Sequence, residues 1–223
     1  MLKRIVKILL GLALLPFCLG FTWQLGENVF AIPYKADVPY YFIAGGFAYL
    51  TVHVLFKKPI LTYVFGHELT HALFAVLFGG SVKAFRASER GGQVTVTKSN
   101  FLITLAPYFF PLYTFLTMVL YGLMTAAEAG AAASAFVFFA GATFAFHVAL
   151  TAIFLQTDQK DIREHGALFS YPLIYLFNVV FMALLIHLLL AKKNGFLDFL
   201  VHGIMHTVHV LTLLARKGYA LLP

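Results

Sequence analysis

The chain has 223 residues, of which 61% are hydrophobic and only 11% charged, and its mean hydropathy is +0.87. Soluble domains carry about 25% charged residues, so this composition excludes a soluble domain and indicates an integral membrane protein. The net charge of +7 does not indicate a nucleic-acid partner, because the basic residues cluster beside the ends of apolar runs, where membrane topology places them.

Apolar runs dominate the sequence, and six of them are long enough to cross a bilayer core of about 30 Å as a helix. They lie near residues 6–24, 39–56, 59–79, 101–123, 131–155 and 170–191. The first run follows Lys3, Arg4 and Lys7 and lacks a small-residue cleavage site, so we predict an uncleaved membrane helix rather than a signal peptide.

The third apolar run contains the HExxH motif His67-Glu68-Leu69-Thr70-His71. Ionisable side chains inside a membrane helix are costly unless they have partners or a function. His67 and His71 are four residues apart and therefore project from one helix face, so both imidazoles can bind one divalent ion, and nitrogen ligands suit zinc. Glu68 lies one step round the helix, where its carboxylate can act as a general base towards water.

A strand-like alternation follows this helix in residues 81–88 and 93–98, on either side of Glu89-Arg90-Gly91-Gly92. The pattern predicts a β-hairpin, whose free edge could hold a substrate segment as an added strand. Next along the chain, Pro107 and Pro111 interrupt the fourth apolar run. That run is therefore predicted to be a kinked or broken helix.

A catalytic zinc ion normally has three protein ligands and one water, so a third ligand must come from another part of the chain. The charge-dense segment 156–166 offers Asp161 as the leading candidate and Asp158 as an alternative, although such a segment can also be a solvated loop. His147, within the fifth apolar run, is the other alternative. The single cysteine, Cys18, excludes an internal disulfide and a cysteine-based metal site.

The C-terminal stretch, residues 196–215, is apolar but also carries Asp198, His202, His206 and His209, so it could span the bilayer or lie in its interface. The three histidines share one helical face, which fits either a second metal site or an interfacial amphipathic helix; we favour the helix.

Basic residues flank the ends of apolar runs at three places, which the positive-inside rule assigns to the cytoplasm: Lys3, Arg4 and Lys7, then Lys57 and Lys58, then Lys192 and Lys193. Segments 24–38, 80–100 and 156–170 are then expected on the opposite side. The second of these segments opposes that assignment, because it contains Lys83, Arg86, Arg90 and Lys98.

Three features resemble the site-2 protease family of intramembrane zinc metallopeptidases. They are the motif Gly66-His67-Glu68-Leu69-Thr70-His71-Ala72 in a membrane helix, the hairpin after it and an aspartate beside a later span. The resemblance covers about residues 59–180. It implies that His67 and His71 bind Zn²⁺, that Glu68 is the general base and that Asp161 completes the metal site. The family's usual Asp-Gly dipeptide near an Asn-Pro pair is missing; Asp161-Ile162 with Gly166 resembles a divergent branch instead.

These features predict an all-α polytopic membrane protein with about six transmembrane helices, a short β-hairpin after the HExxH helix and a C-terminal amphipathic helix. We expect a single membrane domain, residues 1–223, with two N-terminal spans in 1–58, a protease-like core in 59–180 and the amphipathic segment in 194–223.

The expected function is zinc-dependent hydrolysis of peptide bonds in or near transmembrane segments of membrane proteins. The alternative is a non-catalytic membrane scaffold that retains the protease fold. The expected partners are a membrane-protein substrate and the lipid bilayer, in a bacterial-type cytoplasmic membrane, and the sequence leaves the oligomeric state open.

Overall fold

The computed structural model describes residues 2–33, 37–126, 133–190 and 195–220. In chain order, its elements are α1 (Leu2–Phe30), α2 (Asp37–Leu55), α3 (Ile60–Leu77), β1 (Val82–Ser88), β2 (Gly91–Val96), α4 (Phe101–Phe109), α5 (Leu112–Ala126), α6 (Ala133–Leu155), α7 (Lys160–His165), α8 (Ala167–Leu189) and α9 (Gly195–Ala220). The predicted helical fold with one short hairpin after the HExxH helix is confirmed.

Within the described ranges, six helices are long and apolar enough to cross a membrane: α1, α2, α3, α6, α8 and α9. The C-terminal helix, expected to be amphipathic, thus also has the length and composition of a span. The chain is a multi-pass integral membrane protein.

Helices α4 and α5 form a broken apolar segment, bent by 74° at the two residues between them. Phe110 is extended, with φ −99° and ψ 103°, because the ring of Pro111 disfavours the helical conformation in the residue before it. Pro111 also lacks the N–H that would continue the α4 hydrogen-bond ladder. The predicted break in this run is confirmed.

The residues divide into two compact units: a central unit of residues 36–161 and a terminal unit of residues 1–35 and 162–223. In the central unit, α2 and α6 approach closely through glycines. A Cβ at Gly45 would overlap the Phe138 carbonyl oxygen, and one at Gly141 would overlap the Phe42 carbonyl oxygen. Small residues of this kind allow membrane helices to pack backbone against backbone.

The β-hairpin lies along α3 in the central unit. The Phe85 ring packs edge-on against Phe65, with centroids 5.5 Å apart, and Glu89 at the turn pairs with Lys57 at 3.3 Å. Since an 18-residue helix is about 27 Å long, the turn lies far from the C-terminal end of α3, where the hairpin begins.

This placement differs from the expected topology. The sequence predicts that segment 80–100 lies on the side of the membrane opposite to Lys57. The hairpin turn instead lies beside Lys57, because Glu89 pairs with it. The reason is that the alternating pattern gives the hairpin an apolar face, which includes Phe85, and this face packs on α3. Lys192 and Lys193, which also defined the expected topology, lie outside the described residues.

In the terminal unit, α1 packs against α8 and α9 around a core of Phe21, Val179, Ala183 and Phe199. Lys7 Nζ donates hydrogen bonds to His165 Nδ1 at 2.8 Å and to the Glu164 carbonyl oxygen at 3.2 Å.

The histidines of α9 are engaged with other residues of the terminal unit. The His206 ring stacks on Trp23, and its Nε2 atom lies 3.3 Å from Glu27 Oε2. Among the residues that the structure describes, these histidines do not join a group of metal-type ligands.

Candidate metal centre

Helix α3 brings the two histidines of the HExxH motif together. The ring centroids of His67 and His71 are 4.9 Å apart, and their side chains are 12% and 11% exposed. Tyr113 packs on the preceding turn, where its hydroxyl donates to the Thr62 carbonyl oxygen at 2.7 Å. Gly66 permits this contact, since a Cβ there would lie 2.7 Å from Tyr113 Cε2.

Asp161 is the carboxylate that the fold brings to this pair. Its Oδ2 atom lies 3.5 Å from His67 Nε2 and 3.4 Å from His71 Nε2. Within the described part of the chain, these three residues form the one group whose ligand atoms all lie within 4.8 Å of one another. Asp158 and His147, the alternative third ligands, are not members of it.

The electrostatics of Asp161 favour its charged form. Burial raises the pKa of this carboxyl, but the adjacent imidazoles of His67 and His71 outweigh burial and hold the pKa well below its usual range. An ionised carboxylate beside two imidazoles is a ligand set that can hold a divalent cation.

Helix α4 supports two of the three residues. The carbonyl oxygen of Ile103 accepts a hydrogen bond from His71 Nδ1 at 2.9 Å, so a neutral His71 ring keeps its lone pair on Nε2. The Tyr108 hydroxyl donates to Asp161 Oδ2 at 3.0 Å. Asn100 fixes the start of α4, since its side chain accepts a hydrogen bond from the Ile103 backbone N–H.

The sequence analysis did not identify these contributions from α4. Tyr108 lies within an apolar run rich in aromatic residues, and a carbonyl oxygen such as that of Ile103 has no sequence signature.

Strand β2 covers Glu68, which is only 8% exposed. The Val94 backbone N–H donates a hydrogen bond to the Glu68 carboxylate. Gly92 makes the approach possible, because a Cβ at this position would lie 2.5 Å from Glu68 Cγ and 2.7 Å from Glu68 Oε1. The hairpin therefore fixes the side chain that the sequence predicts to be the general base.

We expect Gly92→Ala to impair cleavage and leave metal binding unchanged, because the new methyl group displaces Glu68 or β2 but does not touch His67, His71 or Asp161. Overpacking of this kind costs about 1 to 3 kcal/mol, equivalent to a loss of about 5-fold to 150-fold in rate if it falls on the reacting geometry. Cleavage rate and zinc content of the same preparation measure both effects.

Gly122→Ala is the control for this exchange, since a Cβ there meets nothing within 4 Å. If Gly92→Ala loses its metal, or cleaves as fast as the unaltered chain, the contact between β2 and Glu68 does not have this role.

A narrow pocket, with room for about one water molecule, lies beside His67. Its walls come from α3, α4, α5, α6 and the α4–α5 break; besides His67 they comprise Tyr63, Gly66, Thr70, Pro107, Phe110, Leu112, Tyr113, Phe146 and His147. His147 thus lies near His67 as a wall of this pocket.

Two imidazoles and one carboxylate converge next to a buried glutamate in a helical membrane core. This arrangement is that of site-2 protease-like membrane metallopeptidases. A family model described as Peptidase M50B-like matches residues 40–157, just over half of the chain, and the chain belongs to this family. No curated protein and no solved structure matches the chain.

The matched residues nearly coincide with the central unit, residues 36–161. Peptidases of the M50 family depend on zinc. The resemblance to the site-2 protease family, which the sequence analysis based on the HExxH motif, is thereby confirmed at the level of the family.

Proposed function

We propose that this chain is an intramembrane zinc endopeptidase that hydrolyses peptide bonds in or near the transmembrane segments of other membrane proteins. The observation that carries the proposal is the convergence of Asp161 on His67 and His71, at 3.5 and 3.4 Å, beside the buried Glu68. Family membership supports the same class of activity.

The geometry of the three residues fits zinc. Ligand atoms bound tetrahedrally at about 2.0 to 2.1 Å from one ion lie about 3.3 to 3.4 Å from each other. The distances from Asp161 Oδ2 to the two imidazoles, 3.5 and 3.4 Å, are close to this spacing and longer than charge-assisted hydrogen bonds of about 2.7 to 2.9 Å. His67, His71 and Asp161 would therefore hold the ion.

Each residue of the site has a distinct part in hydrolysis. Bound zinc supplies Lewis acidity towards the scissile carbonyl and lowers the pKa of water. Glu68 accepts a proton from the attacking water and delivers it to the leaving amine. Tyr108 holds the Asp161 carboxylate by its hydrogen bond, and the Ile103 carbonyl oxygen orients His71.

The hairpin can present the substrate to this site. A transmembrane substrate in helical form buries its peptide bonds in its own hydrogen-bond ladder, so cleavage requires an extended segment. Strand β2 pairs with β1 on one side and lies beside Glu68 through Val94. A substrate segment added to its edge would be held extended next to the general base.

Metal content tests this proposal against the non-catalytic scaffold. We expect the purified chain of 223 residues to bind one zinc ion, and to cleave single-span model peptides in proteoliposomes only when zinc is present. Removal of zinc with a chelator should stop cleavage, and added zinc should restore it. Elemental analysis and mass spectrometry of the fragments are the readouts. A chain that stays free of zinc after supplementation supports the scaffold instead.

A further inference from the structure

Asp161 is brought to the two histidines of the candidate metal centre by α7, a helix of six residues, Lys160–His165. A helix of this length is about 9 Å long and has little stability of its own. Contacts at its two ends therefore decide where it lies. At its first turn, the Tyr108 hydroxyl donates a hydrogen bond to the Asp161 carboxylate.

The last turn of α7 is held by Lys7 of α1. The helix ends at Gly166, whose φ of 87° takes the chain out of the helical conformation, so the last carbonyl groups of α7 accept from other donors. Lys7 Nζ donates to the Glu164 carbonyl oxygen at 3.2 Å and to His165 Nδ1 at 2.8 Å. The buried His165 lies four residues after Asp161, so the two side chains share one face of α7.

The packing of α1 on the start of α8 places Lys7 at this position. A Cβ at Gly11 would overlap the Leu168 carbonyl oxygen, so glycine allows the backbones of α1 and α8 to approach each other here. Lys7 lies one turn before Gly11 on α1, and Leu168 lies in the first turn of α8, directly after the end of α7. The Lys7 amine therefore reaches the junction between α7 and α8.

We infer that Lys7 is a positioning residue of the candidate metal centre. Its two hydrogen bonds hold the last turn of α7 and thereby keep Asp161, at the first turn of the same helix, in place to bind zinc. The inference rests on the proposed zinc site. It gives α1, which lies outside the residues of the family match, a part in metal binding.

The charge of Lys7 makes this contact strong and directional. An ammonium group donates hydrogen bonds and accepts none, and hydrogen bonds with a charged donor are about twice as strong as neutral ones. Because Lys7 donates to Nδ1, a neutral His165 ring carries its proton on Nε2. An apolar side chain at position 7 would leave both acceptors without this donor, so α7 would lose the contact that holds its last turn.

Metal binding by the purified chain of 223 residues in detergent tests the inference without turnover. The probes are Zn²⁺ and Co²⁺, since Co²⁺ binds the same kind of site and its visible absorption spectrum depends on the geometry of the ligands. We expect Lys7→Met to bind both ions about tenfold more weakly. This is the lower end of the loss of about 10- to 100-fold that is typical of partners outside the ligand set, because Lys7 acts through α7. The cobalt spectrum of the variant should also change.

Arg4→Met is the matched control, because it removes one positive charge from the same N-terminal cluster and leaves the Lys7 hydrogen bonds in place. Lys7→Arg should keep the affinity within about threefold of that of the unaltered chain, because a guanidinium also donates charged hydrogen bonds. Lys7→Gln serves if Lys7→Met does not fold, and it should weaken metal binding in the same direction.

The outcomes separate this inference from the proposed function. A merely structural role of Lys7 would lower the melting temperature of the metal-free chain but leave the cobalt spectrum and the metal affinity of the folded chain unchanged. That result overturns the inference alone, and so does an equal loss of affinity in Arg4→Met. If the unaltered chain binds neither zinc nor cobalt, the proposed metal site fails and the inference fails with it.

Discussion

Glutamine in place of Glu68 is expected to abolish peptide-bond cleavage while zinc binding remains at one ion per chain. The amide has nearly the same shape as the carboxylate but cannot accept the proton of the attacking water. General acid-base catalysis contributes about 10²- to 10⁴-fold to a rate, so we expect a loss of that size. Zinc is retained because Glu68 is not one of the three residues whose ligand atoms converge.

The measurement combines zinc content with the initial rate on a single-span peptide, for Glu68→Gln and the unaltered chain at equal zinc loading. Glu89→Gln is the control, because Glu89 lies at the hairpin turn with a side chain 60% exposed. Undiminished cleavage by Glu68→Gln would exclude Glu68 as the general base. Loss of zinc in Glu68→Gln would instead make Glu68 part of the ligand set.

Features with a local cause could be predicted from the sequence. His67 and His71 share a helix face because of the helical period, and the structure places their rings together. Pro111 breaks the fourth apolar run because it restricts Phe110 and lacks an N–H, and the bend of 74° follows. The alternation in residues 81–88 and 93–98 predicts strands, and β1 pairs with β2 as expected.

Features that depend on packing between distant segments could not be settled in this way. Asp158 and Asp161 are both carboxylates in one charged segment, and their sequence context does not show which of them meets the histidines. The fold decides, because α4 provides Tyr108 as a hydrogen-bond donor to Asp161. The return of the hairpin along α3 depends on contacts such as that of Phe85 with Phe65, which no local pattern specifies.

The extent of the family match gives Asp161 particular weight. The match ends at residue 157, so the two histidines and Glu68 lie inside it and Asp161 lies four positions beyond it. The segment also lacks the usual Asp-Gly dipeptide of the site-2 protease family. The geometry, rather than the family match, therefore nominates the third ligand, and a substitution at Asp161 tests that geometry directly.

Alanine in place of Asp161 is expected to remove zinc from the purified chain. Loss of an outer hydrogen-bond partner of a metal ligand typically costs about 10- to 100-fold in affinity, and loss of the ligand itself should cost more than that. Zinc present at 100 times its dissociation constant stabilises a protein by about 2.7 kcal/mol, so the variant should also lose the rise in melting temperature that zinc gives the unaltered chain. Zinc titration with thermal unfolding in detergent measures both.

Two further variants make this result specific to the ligand. Asp158→Ala removes a carboxylate from the same segment but not from the convergent group, so it should bind zinc like the unaltered chain. Tyr108→Phe removes the hydroxyl that hydrogen-bonds to Asp161 Oδ2 and Gln159 Oε1 but leaves all three ligands in place, and it should weaken zinc binding by an intermediate factor of about 10 to 100. If Asp158→Ala loses zinc and Asp161→Ala keeps it, the third ligand is Asp158, and the convergence at 3.4 and 3.5 Å is not a metal site.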